Sequence, residues 1–428
     1  MNPIIIIGAG LAGWTTVREF RKLDATTPVV MITADSGDFY AKPTLSNAFA
    51  QKKAPEQLVV TPAAKMAETQ NVTLLAHTRV LRFDPYVKTV TIDKDGVVSS
   101  LDFSSLVLAT GALPIRVPVA GDADTQVLSV NSLSDFASFF EILKSSDSRR
   151  INCLNSYENN SNKDNENVAS SAAKIVIMGA GLIGCEFAND LVNAGYQVSV
   201  VDPANRPLAA LLPEEASEQL RQALQDLGVA WHFGTTVLSL NKAVNHVAGQ
   251  TEKDTESALQ VTLVNGQTLP ADVVLSAIGL RADTRMALAA GLACERGIQV
   301  DAALQTSAPN VYALGDSAQY ASAGNATLPY VMPIMNAARA LAQTLASSST
   351  GKRTDVDFPI MPVAVKTPAL PLMIVPPAIG AKGQWTSAEI HVWQFNNEQN
   401  VATGFVLAGA QTSKRAEMVK LLQSAAMS

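Results

Sequence analysis

The chain contains the same phosphate-binding turn twice. Residues 4–14 read IIIIGAGLAGW and residues 175–186 read IVIMGAGLIGCE. In each, an apolar run suited to a buried strand meets G-x-G-x-x-G and then a helical pattern, TTVREFRKL in the first and FANDLVNAG in the second. One such fingerprint is weak evidence because Gly turns are common. Two, each in strand–turn–helix context, point to two dinucleotide sites. Gly8 and Gly179 make the tight turn, and Gly13 and Gly184 let helix and strand pack closely. Between them Gly10 and Gly181, with Ala9 and Leu182 in the same turns, bring backbone N–H groups and a helix N-terminus up to a pyrophosphate.

The repetition extends downstream. SSLVLATGA (104–112) follows the first fingerprint and ADVVLSAIGL (271–280) the second, at nearly equal spacing. Each half therefore closes with a buried strand ending at a glycine. Ala109, Thr110 and Gly111 in one half and Gly279 in the other are expected beside a nucleotide or at a crossing between domains. The second strand of each half should present an acid to a ribose. QVSVVD places Asp202 there, which favours NADH over NADPH, although Arg206 keeps NADPH open. In the first half VVMIT ends at Thr33-Ala34-Asp35, with the acid displaced beyond the strand. A third signal is VYALGDSAQY (311–320), where Asp316 follows Gly315 after a buried strand. Alone a Gly-Asp pair is more often a turn; after two dinucleotide motifs it suits the hydroxyls of a flavin's ribityl chain.

This pattern sets the expected architecture: an α/β chain of two Rossmann-like dinucleotide-binding domains, the second inserted in the first, plus a small α+β C-terminal domain. The expected division is 1–117 with 282–325 for FAD, 118–281 for NAD, and 326–428 at the end. A length of 428 residues and a hydrophobic content of 47% suit a globular protein of several domains. The net charge of −6, without basic runs, argues against nucleic acid as partner. Neither MNPIIIIGAG nor the proline-broken PALPLMIVPPAIG reads as an export signal or a membrane span. Scattered histidines and the widely spaced Cys153, Cys185 and Cys294 suggest no metal site and a reducing cytoplasm. Residues 145–173 are Asn/Ser-rich without periodic hydrophobicity, which predicts a surface excursion or disordered loop. Residues 245–258 read as a hairpin tip between VLSLNKAV and LQVTLV.

Two further positions invite chemistry. Glu186 follows the second fingerprint, in the expected first turn of its helix. There it either faces the meeting place of nicotinamide and flavin or merely complements a helix N-terminus. Lys366 stands in the apolar run VAVKTPALPL, where a charge is costly without a partner. Reduced flavin, an ordinary ion pair and a snorkelling surface position all remain open for it.

The stretches YAKPTLSNAF (40–49), GAGLIGCEFANDL (179–191), LSAIGLRADT (275–284), RGIQVDAALQTSAPNVYALGDSAQ (296–319), YVMPIMNAARALAQTLA (330–346) and MPVAVKTPALPL (361–372) carry a family likeness. On them the chain resembles the FAD-dependent pyridine nucleotide reductases of the glutathione-reductase-like superfamily. The likeness is greatest to the branch that reduces rubredoxin in bacterial alkane hydroxylation. It departs at Ser317, where the family usually has Cys, and at the 145–173 insertion. The resemblance implies FAD contacts at Gly8, Gly10, Gly13, Thr33, Ala34, Lys42, Val80, Asp316, Val331 and Lys366, with Glu186 beside flavin and nicotinamide. Val331 immediately precedes MPIMNAARALAQTL, which reads as a helix with Pro333 near its first turn and its dipole directed at the flavin. Where disulfide reductases hold a cysteine, residues 42–46 offer Lys42 as a cation and Pro43 as a rigid wall. Electrons from NADH would then leave FAD for an iron–cysteine carrier, rubredoxin, in a transient complex, with Lys42, Lys52, Lys53 and Arg339 as docking cations. A ferredoxin of an oxygenase system is the nearest rival carrier, and an NADH-binding flavoprotein of the apoptosis-inducing-factor kind the non-enzymatic rival. An NADH oxidase or peroxidase is disfavoured by the missing cysteine.

Overall fold

The computed structural model describes residues 2–158, 172–243, 258–378 and 380–426. It divides into two compact units, Met1–Lys42 with Val59–Leu113 and Leu280–Met361, and Pro43–Leu58 with Pro114–Gly279 and Pro362–Ser428. The longest helical runs, in chain order, are α1 (Leu11–Arg21), α2 (Leu133–Glu158), α3 (Leu182–Asn193), α4 (Glu214–Asp226), α5 (Val331–Ala346) and α6 (Arg415–Ala426).

The first unit is built on a five-stranded parallel sheet. Its order is Val311–Ala313, Ser105–Leu108, Ile4–Ile7, Val29–Ile32, Thr73–Leu75. All four isoleucines of the fingerprint strand are buried, as a parallel strand covered on both faces requires. Ser105–Leu108 pairs with Val311–Ala313, in the register Leu106↔Val311, although some two hundred residues separate them. That pairing is the physical meaning of the insertion: neighbouring strands of one sheet bracket the other Rossmann fold. Helices α1 and α5 pack on each other here, so residues 326–361, grouped by the sequence with the C-terminal segment, lie in this unit.

The second unit repeats the plan. Its parallel sheet runs Val127–Leu128, Val273–Ser276, Lys174–Met178, Gln197–Asp202, Ala230–Phe233. In both sheets the fingerprint strand is central, flanked by the second strand of its half on one side and the closing strand on the other. Val237–Lys242 and Leu259–Leu263 pair antiparallel as the flanks of a hairpin; apart from Ala258, the tip read at 245–258 lies outside the described residues. The C-terminal part is a five-stranded antiparallel sheet, ordered Val363–Val365, Leu372–Val375, Ala402–Ala408, Val392–Asn397, Gly383–Glu389. Helix α6 packs on its Ala402–Ala408 strand.

One expectation is corrected. The polar segment beginning at residue 145 is not a loop from its start, because α2 continues to Glu158. The helix begins upstream, where Ser132 Oγ accepts the Asp135 N–H at 3.1 Å and Phe136, Phe139 and Leu143 are fully buried. Once nucleated and packed on that face, a helix propagates through polar residues at little cost per residue. Residues 159–171 of the same segment lie outside the described residues. Among those described, no helix is long and apolar enough to cross a membrane.

Candidate functional site

In both halves the strand–turn–helix corner has the same geometry. Gly8 and Gly179 have φ of +109° and +104°, and a Cβ on either would overlap the carbonyl just past the closing strand, Ala109 or Ala277. A Cβ at Gly13 would overlap the Gly8 carbonyl, and one at Gly184 the Gly179 carbonyl. Gly10 and Gly181 differ, since a Cβ there would meet nothing within 4 Å. Their missing side chain is therefore not demanded by the protein's own packing. Both are helix N-caps without a side-chain cap, and no acid occupies the first turn of α1 or α3. Helix N-termini need partners for their free N–H groups, and these two fit a pyrophosphate in the open space over the middle glycine.

Around the first cradle, Asp35 is engaged locally. Its carboxylate accepts the Thr33 hydroxyl at 2.5 Å and the Gly37 N–H at 3.0 Å, closing the turn that follows Ala34. Thr110 Oγ1 donates to the Asp283 carbonyl at 3.1 Å, and Gly111 accepts the Asp283 N–H at 3.0 Å. Asp316 is half-buried on a short 3-10 turn after Gly315. Burial pushes its carboxyl above the usual range, and the charge of Lys42 pulls the other way. A desolvated acceptor of this kind suits a ligand hydroxyl. Val331 is exposed at the first position of α5, and Val80 is half-buried.

In the second cradle, Asp202 holds the turn itself: Oδ2 accepts the Ala180 N–H at 2.6 Å and Oδ1 the Ala204 N–H at 2.7 Å. Arg206, which kept NADPH open, donates to the Leu212 carbonyl at 3.0 Å. Leu182 is half-buried at the first position of α3, and Gly279 (φ +111°) accepts the Ile115 N–H at 3.0 Å where the closing strand ends.

Glu186 lies beyond the first turn of α3, a correction to the sequence reading. It is 5% exposed, and both carboxylate oxygens are occupied by protein. Ser46 Oγ donates to Oε2 at 2.6 Å and the Lys366 backbone N–H to Oε1 at 2.9 Å. On the same helix, Asn189 Oδ1 accepts the Ala369 N–H at 3.0 Å, and Asp190 accepts the N–H groups of Phe49 and Ala50 at 2.9 and 3.0 Å. Helix α3 thus sews both the 43–58 segment and the 366–369 segment to the second fingerprint. Lys366 Nζ donates to the Pro43 carbonyl at 2.7 Å, which supplies a partner for a charge in an apolar run. Burial lowers the Lys366 pKa and Glu186 opposes that shift. Phe49 anchors the loop among Phe136, Phe139 and Tyr196. Ser46, Asn189 and Asp190 escape sequence reasoning. The one sequence signal for Asn189 and Asp190 is polarity on a helix otherwise fit for burial, at one-turn spacing from Glu186, and Ser46 has none.

Among the described residues, no thiol enters this arrangement. Cys185 is fully buried, its thiol pushed up by burial first and by Asp202 and Glu186 second. Cys294 is likewise free. Two dinucleotide cradles on twin parallel sheets, with a cysteine-free loop held against the second, define a two-dinucleotide oxidoreductase that keeps no dithiol in that loop.

The comparisons agree. Residues 2–343 match the pyridine nucleotide-disulphide oxidoreductase model and residues 355–422 the rubredoxin binding C-terminal domain model. The chain belongs to the pyridine nucleotide-disulphide oxidoreductase family. It is 41% identical to a rubredoxin-NAD(+) reductase of Acinetobacter baylyi, over 99% of this chain and 98% of that relative. To a nitric oxide reductase FlRd-NAD(+) reductase of Aeromonas salmonicida it is 35% identical, over 98% and 96%. The fold is shared with an NADH:rubredoxin oxidoreductase from Clostridium acetobutylicum (TM-score 0.71, 18% identity, 99% and 95% covered). It is also shared with the reductase in a covalent putidaredoxin reductase–putidaredoxin complex (TM-score 0.78, 22% identity, 99% and 93% covered).

Proposed function

We propose that this flavoprotein oxidises NADH and passes the electrons through FAD to rubredoxin. The carrying observation is the pair of cradles combined with a loop that has Lys42, Pro43 and Ser46 where a dithiol reductase needs cysteine. Without an internal dithiol, the electrons must go to an external acceptor. The match of residues 355–422 to a rubredoxin-binding domain supports that acceptor.

Bound FAD supplies the conversion of a two-electron hydride into single-electron steps. The protein's residues bind and orient. Gly8, Ala9, Gly10 and Gly13 cradle the FAD pyrophosphate, Thr33 to Asp35 border its ribose, and Asp316 accepts from its ribityl chain. Val80, Ala109, Thr110, Gly111, Gly315 and Val331 complete that lining, with Lys42 as the adjacent cation. Gly179, Gly181, Leu182 and Gly184 receive the NADH pyrophosphate and Asp202 its ribose, with Gly279 at the end of the closing strand. Glu186 acts as a positioning group, holding Ser46 and Lys366 in place, while Lys366 Nζ fixes the Pro43 carbonyl. FAD belongs to the unit that contains the first fingerprint, NADH to the second Rossmann fold, and carrier docking to the segment after Pro362. A cytoplasmic location and service to an alkane hydroxylase complete the proposal.

The test is anaerobic. Purified, FAD-loaded protein is mixed with NADH and a rubredoxin, and bleaching of the carrier is followed against a [2Fe–2S] ferredoxin. Fast bleaching of rubredoxin with at least tenfold slower reduction of ferredoxin is expected. Equal rates, or preference for ferredoxin, would remove rubredoxin as the partner.

A further inference from the structure

Beside the first cradle, one buried side chain has no place in the reading above. Tyr320 is fully buried at the end of the short strand Ala318–Tyr320, which pairs parallel with Ile298–Val300. Its ring meets Phe358 edge-on at 4.8 Å. Its hydroxyl turns back five residues, accepting the Gly315 N–H at 2.8 Å and donating to the Gly315 carbonyl at 3.2 Å. Gly315 has φ of +78°, and a Cβ there would lie 3.0 Å from the Ala12 side chain of α1. The turn is therefore pressed against the fingerprint helix, in a conformation that leaves the Gly315 backbone groups outside any sheet ladder. A buried backbone donor and acceptor must both find partners. A tyrosine hydroxyl is one of the few groups that serves both with one atom.

We propose that Tyr320 is a positioning residue for FAD: by holding both backbone groups of Gly315 it fixes the direction in which Asp316 presents its carboxylate to the cofactor. The inference rests on the reading of the first cradle as the FAD site. Ser317 supports the same turn, its hydroxyl donating to the Leu314 carbonyl at 3.2 Å, and the negative charge of Asp316 acts on the Tyr320 hydroxyl. Pre-setting the acceptor before FAD arrives spares the ordering cost that binding would otherwise carry.

The test is FAD titration of apoprotein, with thermal unfolding of each apoprotein alongside. Tyr320→Phe keeps the ring and removes both hydrogen bonds. It should raise the Kd for FAD at least tenfold. In an Asp316→Ala background the same change should cost less than twofold, because two residues acting through one contact are not additive. Phe358→Leu, which loosens the ring's packing and keeps the hydroxyl, should shift the Kd less than twofold. A Tyr320→Phe Kd within twofold of wild type, or a full additive loss with Asp316→Ala, would overturn the proposal. Amide exchange in wild-type apoprotein gives a readout that needs no variant. The Gly315 amide should be protected before FAD is added, and protection that arises only with FAD would assign the ordering to the cofactor instead. Wild-type apoprotein that binds no FAD would remove the cofactor reading itself, an outcome separate from any difference between variants.

Discussion

Asp190 is a buried carboxylate whose charge depends on pH within an accessible range. It is 3% exposed and accepts two backbone N–H groups from the 43–58 segment, yet desolvation outweighs those bonds and raises its pKa from 3.8 to about 6. Between those two values the folded chain holds a proton that the unfolded chain has released. Stability from this group is therefore complete below about pH 4 and is lost as pH rises through about 6. Asp190→Asn keeps an acceptor oxygen without the ionisation. Urea unfolding from pH 4 to 7 should show wild type losing about 1–3 kcal/mol relative to the variant across that range. A difference that stays flat with pH would mean that Asp190 is ionised throughout and adequately compensated by its N–H donors. None of this is readable in FANDLVNAG, where Asp190 looks like an ordinary surface acid. Its partners at Phe49 and Ala50 are about 140 residues away, and sequence periodicity reports faces, not distant partners.

At the scale of the element, the fingerprint corners were legible because their constraints are local. Three glycines within six residues each answer a separate steric question, and those answers differ enough to be tested on α3. Ala fits the backbone of Gly181 (φ −77°, ψ −170°) with nothing near its Cβ, whereas at Gly184 it collides with the Gly179 carbonyl. Gly181→Ala should unfold within about 1 kcal/mol of wild type, the ordinary cost of Ala at an N-cap. It should nonetheless bind NADH at least tenfold more weakly, because the methyl group enters the space for the pyrophosphate. Gly184→Ala should instead destabilise the fold by about 2 kcal/mol or more through overpacking. Thermal unfolding paired with NADH titration checks both, and an unchanged NADH affinity in Gly181→Ala would remove the pyrophosphate from that helix end. Helix α2 shows the opposite case. Its continuation to Glu158 depends on a buried face formed earlier, so the composition after residue 145 was a poor guide to where the helix stops.

For the whole molecule, the repeat marked two Rossmann folds, and the insertion shows in the first sheet's edge strand, Val311–Ala313, which comes from beyond the second fold. The closing glycines marked the crossings: the units change after Leu113 and after Gly279. What the repeat could not reveal is that the segment after Pro362 is structurally committed to the second Rossmann fold. The Lys366 and Ala369 N–H groups serve Glu186 and Asn189, and the Trp393 indole donates to Glu215 on α4 at 2.9 Å. His391 lies 2.7 Å from Gln219 on the same helix. Removing residues 362–428 would take the Ala369 N–H from the buried Asn189 and the Lys366 N–H from the buried Glu186, leaving Glu186 with Ser46 alone. Losses of this kind cost about 1–3 kcal/mol per group, before the loss of the apolar surface that the C-terminal sheet covers. A chain ending at Met361 should therefore melt at least 10 °C lower, and it should lose NADH-driven reduction of a small dye along with reduction of rubredoxin. Dye reduction at wild-type rates with rubredoxin reduction alone abolished would show the C-terminal segment to be a detachable docking module. The hydrogen bonds to α3 argue for the first outcome, because the residues that would receive the carrier are held by the same helix that begins at the second cradle.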